Sequence, residues 1–139
     1  MKKYEFTIFC EPKGKGRPRF NTWTGRAYTP KDTKDYEEYI QYCFKSAYPV
    51  AEPFDTPVRI TIDAYHGIPK SYSKRRAEDC FNGTELPCKK PDVDNIAKAV
   101  LDALNGVAFE DDRQVVGMRV IKAWHYVGHI DVVVEEMVQ

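Results

Sequence analysis

Polar and apolar residues alternate at the start of the chain, where YEFTIFC (residues 4–10) sets Tyr4, Phe6, Ile8 and Cys10 against Glu5, Thr7 and Phe9. A period of two predicts a strand with one face in the core. EPKGKGRP breaks the alternation with two glycines and two prolines, so it reads as a loop, and RFNTWTGRAYT reads as a short hairpin around Thr24 and Gly25. The period then lengthens. From Asp32 or Thr33 as cap, Tyr36, Tyr39, Ile40, Cys43, Phe44 and Ala47 recur at three- and four-residue steps, predicting an amphipathic helix that ends near Tyr48-Pro49.

After the turn-rich connector PVAEPFDTP, VRITIDAYH (residues 58–66) alternates again and predicts a second main strand. SKRRAEDCF suits a short helix with a basic leading turn. A longer helix is expected over Asn95–Leu104, with Asp94 accepting from the free first-turn amides and Gly106 supplying the left-handed exit. On a helical wheel Ile96, Ala97, Val100, Leu101, Ala103 and Leu104 share one side, and Asn95, Lys98, Ala99 and Asp102 the other. QVVGMRVIKAW and IDVVVEEM read as a final hairpin joined through HYVGH. Strands at both ends with helices between predict an α+β fold, a small mixed sheet of about four or five strands packed with about three helices. At 139 residues, with no internal repeat or linker, one domain over residues 1–139 is expected. No run approaches the ~18 apolar residues of a membrane span, and the amino-terminal alternation is unlike a signal peptide, so a cytoplasmic protein is expected.

Composition alters this picture only through the placement of charge. The formal net charge is zero, from 21 basic and 21 acidic residues, which argues against a generic basic nucleic-acid binder. Yet Lys13 to Lys34 holds seven basic residues against Asp32 alone, whereas Asp92 to Asp112 holds six acids against Lys98 alone. Charge is segregated by segment. The four cysteines (Cys10, Cys43, Cys80, Cys88) contain no Cys-x-x-Cys pair and read as free thiols. Cys80 and Cys88 with His66 lack a common zinc spacing. Trp124 sits in a strand pattern and reads as core, while Trp23 in the hairpin turn is a candidate for stacking on a base.

KPDVDN is the densest chemistry in the chain. Two aspartates at i and i+2 of an extended segment point the same way, and their mutual repulsion calls for a cation. A hard divalent ion takes carboxylate oxygens and keeps waters that a phosphate can displace. Asp111 and Asp112 repeat the pairing before the next strand. The intervening helix runs roughly 15 Å, so the two pairs meet only if GVAFE crosses back along it. Two rival ion-binding readings are weaker. Counting Asp92 as position 1 of a calcium loop puts Ala97 where Gly is needed and Ala103 where a bidentate Glu belongs, and a D-x-D glycosyltransferase needs a larger fold. Lys15, Arg17 and Arg19 in the Gly-Pro loop, Lys74, Arg75 and Arg76 at a helix start, and Lys89 and Lys90 beside the acids are candidate phosphate-binding residues if three loops share one face.

KPDVDNIAKAVLDALNG followed by EDDRQV resembles the signature of the RusA family of Holliday junction resolvases. The shared elements are D-x-D-N, a lysine four residues after the second Asp, D-A-L closing the helix and D-D-x-Q-V opening a strand. GRPRF, AYTP and IPKSYSKRR extend the resemblance more loosely. It implies a Mg²⁺-dependent endodeoxyribonuclease, Mn²⁺ substituting, that acts as a homodimer on four-way DNA junctions with paired symmetric nicks, in recombination and repair. It further implies Asp92, Asp94 and Asp112 as metal-binding carboxylates with Asp111 beside them, and Lys98 as the catalytic or phosphate-contacting base, leaving open which of Asp111 and Asp112 lies closer to the ion. The alternatives are a non-catalytic branched-DNA-binding protein and a metal-dependent nuclease for another branched DNA.

Overall fold

The period-two runs become strands of one mixed sheet, and the parallel pair within it is what the local patterns could not foretell. The structure, a computed structural model, describes residues 2–14 and 31–137, with 19–21 and 26–28 described as backbone. Strand β1 (Lys3–Ile8) is followed by a small antiparallel ladder of β2 (Arg19–Asn21) and β3 (Arg26–Tyr28). The turn of that hairpin and Trp23 lie outside the described residues. Helix α1 (Lys31–Ala47), strand β4 (Val58–Gly67), helices α2 (Lys74–Phe81) and α3 (Val93–Leu104), and strands β5 (Val115–His125) and β6 (His129–Glu136) complete the order. The four long strands lie as β1-β6-β4-β5, which is the expected α+β class.

Along β4, Val58, Ile60, Ile62, Ala64 and His66 are buried while the intervening residues are exposed or half-buried, so one sheet face is packed. Register carries that face across all four strands: Phe6 is opposite Val132, Val132 opposite Ile62, and Ile62 opposite Val120. Helices α1 and α3 close over it, filling the core with Ile40, Phe44, Ile96, Val100 and Leu104. Trp124 is 7% exposed, the core position expected of it. Among the described residues, no helix is long and apolar enough to cross a membrane.

Three expectations need correcting. First, β5 and β6 form no hairpin, because β4 inserts between them, antiparallel to β6 and parallel to β5. A parallel partner requires a crossover, which α2 and α3 supply. Residues 126–128 then step over the end of β4, and skipping one strand asks for only about 10 Å, within reach of three residues. Second, α3 starts earlier than expected. Asp92 is its N-cap and Ile96 N–H donates to the Asp92 carbonyl, so Asp94 sits inside the first turn, where the helix dipole favours a carboxylate. Helix α1 likewise starts at Lys31, placing Asp32 and Thr33 in its first turn. Third, Ala99 is buried at 1% exposure rather than facing solvent. Helix α3 lies between α1 and β5, and Gln41 Nε2 of α1 donates to the Ala103 carbonyl of α3 at 3.0 Å, so α3 is apolar on two sides. Gly106 does take the left-handed conformation, at φ +78°.

The end of β4 is held by a carboxylate. Gly67 N–H donates to Glu11 Oε1 at 2.9 Å and Oε2 at 3.2 Å, and a Cβ at either Gly67 or Gly128 would run into that carboxylate. Gly128→Ala should therefore lower unfolding free energy by about 1 kcal/mol by displacing Glu11. Denaturant titrations should show that cost vanish in a Glu11→Ala background. An equal cost in both backgrounds would refute this account of the glycine.

Candidate active site

A cavity of about 390 Å³ opens between α3 and β5, with Asp94, Lys98, Asp102 and Asp112 on its lining and Met118 and Val120 of β5 on its apolar side. Asp94, Lys98 and Asp102 are spaced at four-residue steps, which places them in successive turns along one helical side. Val93, Ala97 and Leu101 add apolar lining from the same helix. Asp112 arrives from a different element, and its route depends on buried residues just past α3. Ala108 and Phe109 are fully buried, Phe54 N–H donates to the Ala108 carbonyl at 2.9 Å, and Glu110 N–H donates to the Phe54 carbonyl at 3.2 Å. That tether turns the chain back along α3, the crossing that GVAFE was required to make.

The second aspartate pair divides its work. Asp111 caps a short 3-10 turn over Asp112–Gln114: its carboxylate accepts from Arg113 N–H at 2.9 Å, and Gln114 Oε1 accepts from Asp111 N–H at 2.7 Å. The Arg113 amide first, with the Arg113 charge adding to it, holds the Asp111 carboxyl below its ordinary pKa. Asp112, rather than Asp111, lines the cavity. Gln114 fixes the turn to the body of the protein, since its Nε2 donates to the Phe54 and Thr56 carbonyls, each at 2.8 Å.

The first pair is less occupied by the fold. Asp92 holds the N-cap position of α3 without accepting a hydrogen bond there through its side chain, although an Asp at that position ordinarily does. Asp92, Asp94 and Asp112 are all exposed. A donor set made of carboxylate oxygens, next to space for waters, suits a hard divalent cation in chemistry. Among the described residues no three His, Cys, Asp or Glu side chains converge closely enough to hold an ion. Binding one would require the carboxylates to swing toward it: Asp94 and Asp112 share a cavity, while Asp92, two residues before Asp94, is not among the residues lining it.

The expected cations fall into three groups. Lys15 and Arg17 lie outside the described residues, and of Arg19 only the backbone is described, in β2. Lys74 and Arg75 are exposed in the first turn of α2, but Arg76 is engaged: its Nε meets Glu85 Oε1 at 3.0 Å and its guanidinium lies 3.7 Å from the Tyr72 ring centre. Lys89 and Lys90 are exposed just before α3. Their loop is tied down by Lys122, whose ammonium donates to the Lys89 carbonyl. Lys122 lies on β5 two residues beyond Val120 and so on the same side of the strand. The Cys80, Cys88 and His66 trio is dispersed in character: Cys80 and His66 are buried and Cys88 is exposed. Burial, followed by Lys89 and Lys122, pushes the His66 pKa down.

Sequence reasoning missed Asp102, Gln114 and Lys122 as parts of this region. The i, i+4, i+8 spacing of Asp94, Lys98 and Asp102 was a readable signal for the first. Nothing local marks Gln114 or Lys122, whose partners are distant in the chain.

The family described as Endodeoxyribonuclease RusA matches residues 10–135 of the chain. The uncharacterized protein YqaN of Bacillus subtilis (strain 168) is 34% identical over 138 residues, which cover 96% of each chain.

Gln114 makes three hydrogen bonds that hold the Asp111–Asp112 turn, so Gln114→Ala should lower unfolding free energy by about 2 kcal/mol. Gln114→Glu keeps the acceptor, loses both donated bonds and should forfeit most of the same stability. Urea titrations measure both. A Gln114→Ala change within about 0.5 kcal/mol of the parent, as for an ordinary surface site, would show that the brace is not needed.

Proposed function

Because the chain belongs to the RusA family of endodeoxyribonucleases, we propose that it resolves four-way (Holliday) DNA junctions by paired symmetric nicks, using Mg²⁺ held by Asp92, Asp94 and Asp112. The observation that carries this reading is the cavity on which Asp94 and Lys98 of α3 meet Asp112 of a separate turn. Mn²⁺, with the same preference for oxygen ligands, would substitute. Bound there, the ion supplies Lewis acidity at a phosphoryl oxygen and lowers the pKa of a water.

The chain's own residues supply the rest. Lys98 lies one turn from both Asp94 and Asp102, and its ammonium stabilises charge developing on the phosphate in the transition state. Met118 and Val120 exclude water from one side of the cavity, which strengthens these electrostatic contacts. Lys89, Lys90, Lys74 and Arg75 bind backbone phosphates, with Lys15, Arg17 and Arg19 contributing from the amino-terminal loop. Arg76 is committed to Glu85 and Tyr72 and contributes less. Asp111 keeps its place as the cap that aims Asp112. Paired symmetric cuts require two such sites, and a homodimer in the cytoplasm provides them.

The test uses end-labelled DNA and Mg²⁺, comparing a mobile four-way junction with a linear duplex of matching sequence. Paired symmetric nicks in the junction alone are expected, with Asp94→Asn and Asp112→Asn each slowing cutting by about 100-fold or more. Junction binding should persist or tighten in both, because negative charge near the phosphates is lost. Cleavage that survives Asp92→Asn, Asp94→Asn and Asp112→Asn alike would place the site elsewhere. Equal cutting of both DNAs would indicate a nuclease without junction preference. Binding without cutting in Mg²⁺ or Mn²⁺ would favour a branched-DNA-binding protein.

A further inference from the structure

One end of the sheet carries a row of rings that neither the core nor the carboxylate cavity uses. Phe81, the last residue of α2, stacks on Tyr126 with ring centres 4.8 Å apart and planes 25° apart. Phe81 also meets His125 at 5.7 Å, His125 meets His129 at 5.0 Å, and His129 stacks on Tyr65 of β4 at 4.6 Å. Phe81 is 49% exposed, Tyr126 56% and the neighbouring Val127 68%. Three large apolar side chains held open at one place are unusual for a surface with no partner.

The row is built rather than incidental. Val127 N–H donates to His125 Nδ1 at 3.3 Å, and the Val127 carbonyl lies 2.8 Å from His129 Nδ1. A carbonyl only accepts, so His129 carries its proton on Nδ1, while His125, accepting at Nδ1, carries its proton on Nε2 when neutral. The backbone N–H and carbonyl of one residue, Val127, thus fix both imidazoles. Rings already held in place lose little entropy when something stacks on them.

We infer that Phe81 and Tyr126, backed by His125, His129 and Tyr65, form a stacking platform for unpaired nucleobases of a branched DNA substrate. The inference rests on the proposed DNA-cleaving role and adds a second contact to it. Aromatic faces accept any base, and a branch point exposes bases that have lost a stacking neighbour. Lys74 is seven residues before Phe81, so it shares that side of α2 about 10 Å away, where a phosphate of the same strand can reach it, with Arg75 beside it. Glu78 and Asp79 lie between them on the helix, four residues after Lys74 and Arg75 respectively. Tyr126 is six residues beyond Val120 of the cavity, about 20 Å along β5, with Lys122 and the pinned Lys89 loop on the way. One strand can therefore meet the cavity, the lysines and the platform in turn.

The test is binding in Ca²⁺ or EDTA, independent of cleavage, read by anisotropy on a labelled four-way junction, on labelled oligothymidylate and on a linear duplex. Phe81→Ala and Tyr126→Ala remove exposed side chains and should each weaken junction and oligothymidylate binding by about tenfold, leaving duplex binding unchanged. Tyr126→Phe keeps the ring and should bind as the parent does. A 2-aminopurine at the junction crossover should be quenched by the parent and not by Tyr126→Ala. Unchanged affinities with unchanged quenching would overturn the platform alone, as would loss of a dimer in sedimentation without loss of DNA binding, which would make this face a contact between copies. A parent protein that binds none of the three DNAs would overturn the proposed function together with the platform.

Discussion

The burial of Ala108 and Phe109 beside the Phe54 backbone is the constraint from which the candidate site follows. A helix of the length of α3 carries the chain about 18 Å from its start, which would leave the aspartates before and after it at opposite ends. Burying Phe109 completely stabilises the returning conformation by roughly 2 to 3 kcal/mol, and the Phe54 N–H and carbonyl hold the returning chain from both sides. The Phe54 carbonyl accepts from Gln114 Nε2 as well. The same residue that turns the chain thus anchors the turn that carries Asp112. The acids face solvent while everything that places them is buried or hydrogen-bonded, so position and charge are controlled by different residues.

That separation explains what could be read in the sequence. The alternation of β4 and the three- and four-residue periodicity of α3 were legible because each records one buried face, and a single face is a local property. Ala99 was misplaced because α3 buries a second face against α1, and an alanine signals burial weakly. The hairpin reading of β5 and β6 failed for a related reason: each strand is plain in the pattern, but which strand it pairs with is decided by β4, more than forty residues upstream of β5. Aspartate spacing raised the expectation of an ion. It left Asp111 and Asp112 equivalent, because only the fold shows that one of them has its carboxylate on an amide and the other faces the cavity.

On the proposed function, a net charge of zero conceals two opposite requirements on one small surface. Phosphates need cations nearby, whereas a divalent ion needs several carboxylates, and mixing the two would let them neutralise each other as ordinary surface pairs. The chain gathers cations between Lys13 and Lys34 and acids between Asp92 and Asp112, with Lys89 and Lys90 immediately before the first acid pair in sequence. Where a cation does meet an acid closely, as Arg76 meets Glu85, it pins the loop after α2 and its charge is already partnered. Lys122 has a similar structural duty, toward the Lys89 carbonyl.

The N-cap of α3 shows the same economy at the scale of one residue. An aspartate there would ordinarily hydrogen-bond the first-turn amides and gain about 1 kcal/mol of helix stability. Asp92 does not make that bond, so α3 depends on its packing between α1 and β5 for stability, which burial of Ile96, Val100, Ala103 and Leu104 supplies. A helix secured by its sides can leave its cap carboxylate uncommitted. At the 3-10 turn the relation is reversed, because three residues bury too little to hold themselves, and there Asp111 is spent as a cap while its neighbour stays available. In each case, then, how well the element is packed decides whether its cap aspartate keeps an uncommitted carboxylate.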